Sequence, residues 1–469
     1  MATEAKKKIG ILAGRRRRHV RILLALATAA VVAGAGTTIV LTQRGTATAA
    51  QDAATLPPQP ALVTATPQVA PLSEDAPAPT PQALAAALDP VAANPALGNF
   101  TGSVTDARTG AVLWSRGPDT PMTPASTTKI LTAAAAMLSL PPDHRVTTEV
   151  VQGSRPGELV LVGHGDPTLT AQPVGQPGYY PGGPRIVDLA DQIRRSGTAV
   201  DSIVVDTGAY TGPALAQGWI PDDVAAGYIA PIEPVMLDGA RSDPLADEPP
   251  RSATPALDAG RALAQALGVD PARVTLGTAT PDTDRVASVQ SAPLRERLGV
   301  MMRRSDNILA ETIAREVAAG KNAERSFAGA TEAVVQVLYD AGFKTDGVTL
   351  HDGSGLSVDG RIPARLLDAV LAAAAGESEP RLRPMLDDLP VAGATGTLSD
   401  RYATGDRVGA GWVRAKTGTL SVASALTGYV VDVDGRVLTF ALMSNDRPPG
   451  ESRPALDAVA GALRLCGCR

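Results

Sequence analysis

Three short motifs in this chain carry the residue types from which a covalent acyl-transfer site can be built. In chain order they are Ser126-Thr127-Thr128-Lys129, Ser305-Asp306-Asn307 and Lys416-Thr417-Gly418. A serine hydroxyl is a weak nucleophile, and a lysine can activate it as a base once burial and nearby cations lower the pKa of the amine. Ser126 is therefore the candidate nucleophile, and Lys129 is the candidate base.

The sequence around each motif predicts the element that must position it. Residues 130–138 are rich in good helix formers and end before two prolines, so Ser126 is expected at a helix start, with Lys129 one turn further on the same face. A helix start also favours the negative charge of an oxyanion. Residues 293–319 are predicted to be helical on both sides of the second motif, and residues 413–416 are predicted as a strand that leads into the third.

Further strand and helix patterns indicate the fold class. Residues 100–104 and 111–115 predict one hairpin, and residues 425–432 and 436–443 predict a second. The chain then ends in a predicted helix at 451–465. Two hairpins with intervening and terminal helices favour an α+β fold in which an antiparallel sheet is covered by helices.

The spacing of the motifs indicates an inserted domain. Ser126 and Ser305 are 179 residues apart, which is more than two neighbouring helices need. Residues between them mix strand-like and helical segments. We therefore predict a catalytic domain formed by residues 83–145 and 289–469, interrupted by an accessory domain at 146–288.

The ordered set of three motifs resembles that of penicillin-binding proteins and class A β-lactamases. Other segments resemble the DacB-type D-alanyl-D-alanine carboxypeptidases, the class C low-molecular-mass penicillin-binding proteins. These segments are GHGDPTL at 163–169, YIAP at 228–231, DGSGLS at 352–357 and AGATGTL at 392–398. The similarity extends from about residue 83 to 465 and includes the family's insert. It implies a β-lactamase/transpeptidase-like catalytic domain.

The resemblance implies a peptidoglycan substrate and a catalytic set of Ser126, Lys129 and Ser305. Ser126 would form an acyl-enzyme with a stem peptide, terminal D-Ala would leave, and water would resolve the ester. Ser305 would relay a proton toward the leaving amine. Cleavage of D-Ala cross-links is a secondary expectation, and β-lactam antibiotics are expected to acylate the same serine.

The resemblance also implies a set of substrate-binding residues. Asn307 would hydrogen-bond the substrate's backbone amide. Lys416 would attract the substrate carboxylate, with the hydroxyls of Thr417 and Thr419 as donors. The backbone N–H groups of Ser126 and Thr419 would form the oxyanion hole.

Two alternatives agree less well with the sequence. A class A β-lactamase needs a deacylating Glu followed four residues later by Asn, but the only asparagine between the second and third motifs is Asn322, and Ala318 precedes it by four. A wall-binding protein without activity has no need of an intact nucleophile and base.

The stretch Asp352-Gly353-Ser354-Gly355 lacks the spacing of a hydrolase elbow, and we predict a structural turn there.

Charge and hydropathy indicate the location of the protein. The first 44 residues carry a net charge of +8, and the remainder carries −13, which argues against nucleic acid as a partner. A basic segment at 1–21 precedes an uncharged apolar stretch at 22–42, which predicts a transmembrane anchor with a cytoplasmic N-terminus or, alternatively, a cleaved signal peptide. Both place the body outside the cytoplasm, after a Pro/Ala-rich linker at 43–82.

Four scattered histidines and the absence of a C-x-x-C motif indicate no metal or cofactor.

Overall fold

The computed structural model describes residues 75–246 and 248–467. In these residues the helices are α1 Pro81–Ala92, α2 Thr128–Ser139, α3 Ile186–Ser196, α4 Asp222–Ala225, α5 Pro255–Leu267, α6 Leu294–Arg304, α7 Asn307–Gly320, α8 Phe327–Asp340, α9 Ala364–Ala375, α10 Pro384–Asp387 and α11 Pro449–Leu465. The strands are β1 Asn99–Asp106, β2 Val112–Arg116, β3 Pro121–Met122, β4 Thr147–Gln152, β5 Glu158–Gly163, β6 Asp166–Leu169, β7 Ser202–Asp206, β8 Val235–Leu237, β9 Val274–Gly277, β10 Arg285–Gln290, β11 Ile362–Pro363, β12 Arg414–Leu420, β13 Ala423–Val431 and β14 Val437–Asn445.

The larger domain is built on a five-stranded antiparallel sheet in the order β12-β13-β14-β1-β2. Neighbouring side chains along a strand point to opposite faces, so this sheet serves two cores. Ala425 and Ala441 pack on one face with α2, α6, α7, α8 and α9. Leu426 and Leu442 pack on the other face with α1 and α11. The predicted α+β fold, with both hairpins and the terminal helix, is confirmed.

The insert contains a second sheet in the order β10-β4-β5-β7-β9. The strand pairs β10-β4 and β4-β5 are antiparallel, and the pairs β5-β7 and β7-β9 are parallel. Helices α3 and α5 cover this sheet and share its core. The middle of the insert has different neighbours. Ile229, Ile232 and Met236 form a small apolar cluster with Ile308 of α7 and Leu356, so this part of the insert lies directly over the helix that follows the second motif.

The N-terminal edge of the folded body differs from the predicted linker boundary at residue 82. Helix α1 begins at Pro81, because the Thr80 hydroxyl accepts a hydrogen bond from the N–H of Ala83 and proline is favoured in a first helical turn. Upstream, Ala76 is buried, and its carbonyl accepts a hydrogen bond from Arg436. Residues from Ala76 onward therefore belong to the folded body.

The predicted basic segment at 1–21 and the apolar stretch at 22–42 lie outside the described residues. Among the helices that are described, none combines the length and the apolar character needed to cross a bilayer.

Candidate active site

Ser126 lies in a tight turn that leads directly into α2, as the sequence predicted. A single 3₁₀ turn spans Ala125–Thr127, and Ala125 has a φ of 47°, which turns the chain sharply before the helix. One helical turn separates Ser126 from Lys129, and the distance from Lys129 Nζ to Ser126 Oγ is 3.0 Å. Ser126 is partly exposed, whereas Lys129 is fully buried. The hydroxyl can thus meet a ligand while the amine stays behind it.

Two other oxygen atoms hold the Lys129 amine in place. Its Nζ lies 2.6 Å from Asn307 Oδ1 and 2.8 Å from the carbonyl oxygen of Ser354. Burial lowers the pKa of Lys129 to about 8, while the negative charges of Asp352, Glu311 and Asp306 act in the opposite direction. The neutral form of this amine is therefore a minor but populated species near physiological pH.

The turn that presents the Ser354 carbonyl is itself held by a buried glutamate. Glu311 of α7 accepts hydrogen bonds from the N–H groups of Gly353 and Ser354, at 3.1 and 2.8 Å. Burial raises the pKa of Glu311 to about 7, and the neighbouring charge of Asp352 contributes. Arg315, one helical turn further on, lies 3.6 Å from the same carboxylate. The structural turn predicted from the sequence is therefore also a direct neighbour of the candidate base.

Asp352 closes this turn by accepting backbone hydrogen bonds from Gly355 and Ser357, each at 2.7 Å. The indole N–H of Trp219, from the insert, donates to the same carboxylate at 2.7 Å. Gly355 has a φ of 78°, and a Cβ at this position would collide with the carbonyl oxygen of Ala125. The turn thus packs against the backbone immediately before the candidate nucleophile, and only glycine fits there.

The second motif forms the junction between α6 and α7. Ser305 has a φ of 57° and ends α6, and Asp306 caps α7 by accepting a hydrogen bond from the N–H of Leu309 at 2.8 Å. This sharp reversal places Asn307 at the first position of α7. Besides its contact with Lys129, Asn307 donates through Nδ2 to the carbonyl of Tyr228 in the insert, at 3.0 Å.

A buried ionic network from the insert holds Asp306. Arg241 forms an ion pair with Asp306 at 3.2 Å, with each side chain only 2% exposed, and the hydroxyl of Tyr180 donates to the same carboxylate at 3.0 Å. The guanidinium of Arg241 also lies 3.2 Å from the centre of the Tyr179 ring. Burial alone would raise the pKa of Asp306, but Arg241 and Arg251 hold it below its ordinary value. Asp306 is therefore an anion that the insert neutralises.

The third motif lies on β12, at the edge of the large sheet. Lys416 is fully buried, and its Nζ lies 2.8 Å from Ser305 Oγ and 2.8 Å from the carbonyl oxygen of Thr417. Burial lowers the pKa of Lys416, and the charge of Lys129 lowers it further. A Cβ on Gly418 would lie 2.6 Å from the carbonyl oxygen of Pro124, so glycine allows the strand to approach the Ser126 turn closely.

The threonines of this strand are held by side chains distant in sequence. Thr417 Oγ1 lies 2.7 Å from Thr397 Oγ1, and Arg453 of α11 donates to Thr419 Oγ1 at 2.8 Å. The AGATGTL segment that contains Thr397 is therefore a direct neighbour of the third motif. Because Arg453 occupies a lone pair of Thr419, that hydroxyl can direct its own proton elsewhere.

The structure brings the predicted residues together in two linked groups. Ser126, Lys129 and Asn307 form one group through the Lys129 amine, and Ser305, Lys416 and Thr417 form the other through the Lys416 amine. Thr419 continues the same strand. The sequence did not predict the contacts of Glu311, Ser354, Tyr228, Arg241, Tyr180 and Arg453. Among the described residues, no group of His, Cys, Asp and Glu has the arrangement of a metal site.

A serine–lysine pair at a helix start, beside the edge strand of an antiparallel sheet that helices cover, defines a serine enzyme with the β-lactamase/transpeptidase-like fold. The chain belongs to the D-Ala-D-Ala carboxypeptidase 3 (S13) family, whose sequence profile matches residues 84–250 and 247–464. It is a serine-type D-Ala-D-Ala carboxypeptidase, and the resemblance inferred from the motifs is confirmed.

Similar proteins agree with this placement. Carboxypeptidase DacB of Mycolicibacterium smegmatis is 51% identical over 97% of this chain and 98% of its own length. A carboxypeptidase of Mycobacterium tuberculosis is also 51% identical, over 88% of this chain and 90% of its own. Among solved structures, penicillin-binding protein 4 (DacB) of Haemophilus influenzae matches with a TM-score of 0.66 at 23% identity, covering 82% of this chain and 98% of that one. That structural match supports the fold.

Proposed function

We propose that this carboxypeptidase trims terminal D-Ala from peptidoglycan stem peptides through an acyl-enzyme on Ser126, with Lys129 as its base. The observation that carries the proposal is the 3.0 Å contact between Lys129 Nζ and Ser126 Oγ in a site where the amine is completely buried. A buried amine with a pKa of about 8 is a suitable base at neutral pH, because about one molecule in ten holds it uncharged at pH 7.

The hydrogen bonds of Lys129 support this assignment atom by atom. A neutral amine has two N–H donors and one lone pair. The carbonyl of Ser354 and Oδ1 of Asn307 accept the two N–H bonds, so the lone pair is left for the hydroxyl proton of Ser126. Proton removal then makes Ser126 Oγ a nucleophile toward the substrate carbonyl. The same base can activate the water that later hydrolyses the ester.

Ser305 and Lys416 are assigned to the departure of D-Ala. Lys416 donates a hydrogen bond to Ser305 Oγ at 2.8 Å, so the hydroxyl proton of Ser305 is free to be donated to the leaving amine. Asn307 would bind the substrate's backbone amide next to the reacting carbonyl. Charged Lys416 and the hydroxyls of Thr417 and Thr419 would bind the terminal carboxylate. An approaching carboxylate raises the pKa of Lys416 and so favours its charged form.

The backbone N–H groups of Ser126 and Thr419 are proposed as the oxyanion hole. The close approach that Gly418 allows between β12 and the turn before Ser126 supports this role. In other hydrolases each such donor contributes about 3 kcal/mol to transition-state stabilisation. β-Lactams present a carbonyl and a carboxylate in a similar relation, and we propose that they acylate Ser126 through the same contacts.

We also propose that the catalytic body lies outside the cytoplasm, where peptidoglycan is found. Residues 22–42 would hold it at the cell membrane as a single-pass anchor, and secretion after signal cleavage is the alternative. The uncharged apolar stretch that follows a basic segment supports this proposal. Residues 146–288 would act as an accessory domain within the catalytic domain.

The test is D-Ala release from an N-acylated tripeptide that ends in D-Ala-D-Ala, together with labelling by a fluorescent penicillin. Wild-type protein is expected to do both, and Ser126→Ala is expected to do neither. Ser139→Ala is the matched control, because Ser139 ends the same helix and its hydroxyl donates to the backbone carbonyl of Ala135. Equal D-Ala release by Ser126→Ala and the control would contradict the mechanism.

A further inference from the structure

A pocket of about 420 Å³ opens beside Ser305 and Asn307, and neither Ser126 nor Lys129 is among the described residues that line it. Its lining includes Ser305, Thr397, Glu248, Arg241, Arg251 and Arg304. The pocket is therefore shared between the insert, the second motif and the segment that contacts the third motif. Ser305 and Asn307 are the lining residues that have a proposed role in substrate handling, and none of the lining arginines has such a role.

The position of the pocket identifies the part of the substrate that enters it. Ser305 is the proposed proton donor to the leaving amine, and Thr397 is hydrogen-bonded to Thr417, which is proposed to bind the terminal carboxylate. A residue whose amine meets Ser305 and whose carboxylate meets Thr417 lies at the mouth of this pocket. Its side chain, or a continuation of it, can extend into the pocket.

The size of the pocket exceeds the needs of D-Ala. Pockets of about 300–1,000 Å³ commonly hold whole small-molecule ligands. A leaving D-Ala offers only a methyl group. The pocket thus has room for a larger leaving residue.

The charges that line the pocket favour an acidic group. Four arginines line it, and two have carboxylate partners: Arg241 pairs with Asp306, and Arg303 pairs with Asp388 at 2.6 Å. Arg251 instead donates to the carbonyls of two glycines at 2.9 and 2.6 Å.

Arg304, which is exposed, donates to the carbonyl of Tyr179 at 3.2 Å and lies 4.6 Å from the centre of its ring. Within the described residues, neither Arg251 nor Arg304 forms an ion pair, and Glu248 is the one lining acid besides Asp306.

We infer that this pocket favours leaving residues that carry a second carboxylate, which Arg304 and Arg251 bind. The inference rests on the proposed roles of Ser305 and Thr417. It adds a specificity site on the leaving-group side of the scissile bond, in which the insert supplies Arg251 and the end of α6 supplies Arg304.

The experiment compares three N-acylated tripeptides with the same acyl part, ending in D-Ala-D-Ala, D-Ala-D-Gln and D-Ala-D-Glu. D-Gln and D-Glu have the same size, so their ratio of kcat/KM isolates the effect of the charge. We expect kcat/KM for release of D-Glu to be about fivefold higher than for D-Gln. This factor is the size expected for one partly exposed charge pair. The ratio should fall toward one in Arg304→Gln and at high salt.

Arg295→Gln is the matched control, because Arg295 is an exposed arginine on the same helix outside the pocket. It should keep the D-Glu preference. Equal kcat/KM for D-Glu and D-Gln in the wild type, or the same ratio in Arg304→Gln and Arg295→Gln, would overturn the inference while the proposed function stands. Failure to hydrolyse all three peptides would overturn the proposed function, and this inference with it.

Discussion

The ion pair between Arg241 and Asp306 provides a direct test of how the insert supports the active site. Arg241→Gln removes the positive charge and leaves the buried Asp306 carboxylate with the hydroxyl of Tyr180 and the N–H of Leu309 as its hydrogen-bond donors. At 3.2 Å the lost attraction is about 5 kcal/mol for an effective dielectric constant of about 20. The remaining donors and the nearby charge of Arg251 offset part of this. We therefore expect a loss of about 3 kcal/mol in the free energy of unfolding, at the lower end of the range for broken buried ion pairs.

The measurement is a double-mutant cycle in urea, in which Arg241→Gln, Asp306→Asn and the combined variant are compared with the wild type. Asparagine keeps the side-chain oxygen that caps α7, so the combined variant lacks both charges but retains the cap. The loss in free energy of unfolding of the combined variant should be about 2 kcal/mol smaller than the sum of the losses of the two single variants. The kcat/KM for the D-Ala-D-Ala tripeptide should follow the same order, because Asp306 fixes Ser305 and Asn307 on either side of it. Additive losses of stability in the cycle would refute the reasoning.

Two further predictions concern the surroundings of the catalytic base. Penicillin acylation should rise with pH and level off above about 8, because only the neutral form of Lys129 can accept a proton. Asp352→Asn removes a negative charge that stabilises the ammonium form of Lys129. The pH at which the acylation rate of this variant is half-maximal should therefore be lower than in the wild type. An unchanged or higher half-maximal pH would argue against this coupling. Gly355→Ala should lower both the melting temperature and the acylation rate, since its Cβ would collide with the carbonyl of Ala125. Gly360→Ala is the control, because its Cβ would meet no atom closer than 3.6 Å, and equal effects of the two variants would contradict the prediction.

Much of the fold and part of the candidate site followed from local sequence. The position of Ser126 before a helix, with Lys129 one turn later, depends on helix periodicity and on the prolines that end α2. Both hairpins are short-range pairings whose turns are marked by glycine and aspartate. Interactions of this kind leave a signal in the sequence because the partners are chain neighbours.

Other parts of the site depend on contacts that no local pattern records. Arg241 meets Asp306 across 65 residues of sequence, Ser354 meets Lys129 across 225, and Arg453 meets Thr419 across 34. A buried charge needs a partner, but sequence alone does not tell which of many arginines supplies it.

The amino-acid sequence by itself therefore determined the chemistry of this protein: a nucleophile, a base and two supporting motifs, in a recognisable order. Only the tertiary structure decided how those groups are held and what surrounds them, because the path of the insert sets which side chains reach the second motif. The buried ion pair at Asp306, the carbonyl partner of Lys129 and the arginine-lined pocket beside Ser305 all result from that path.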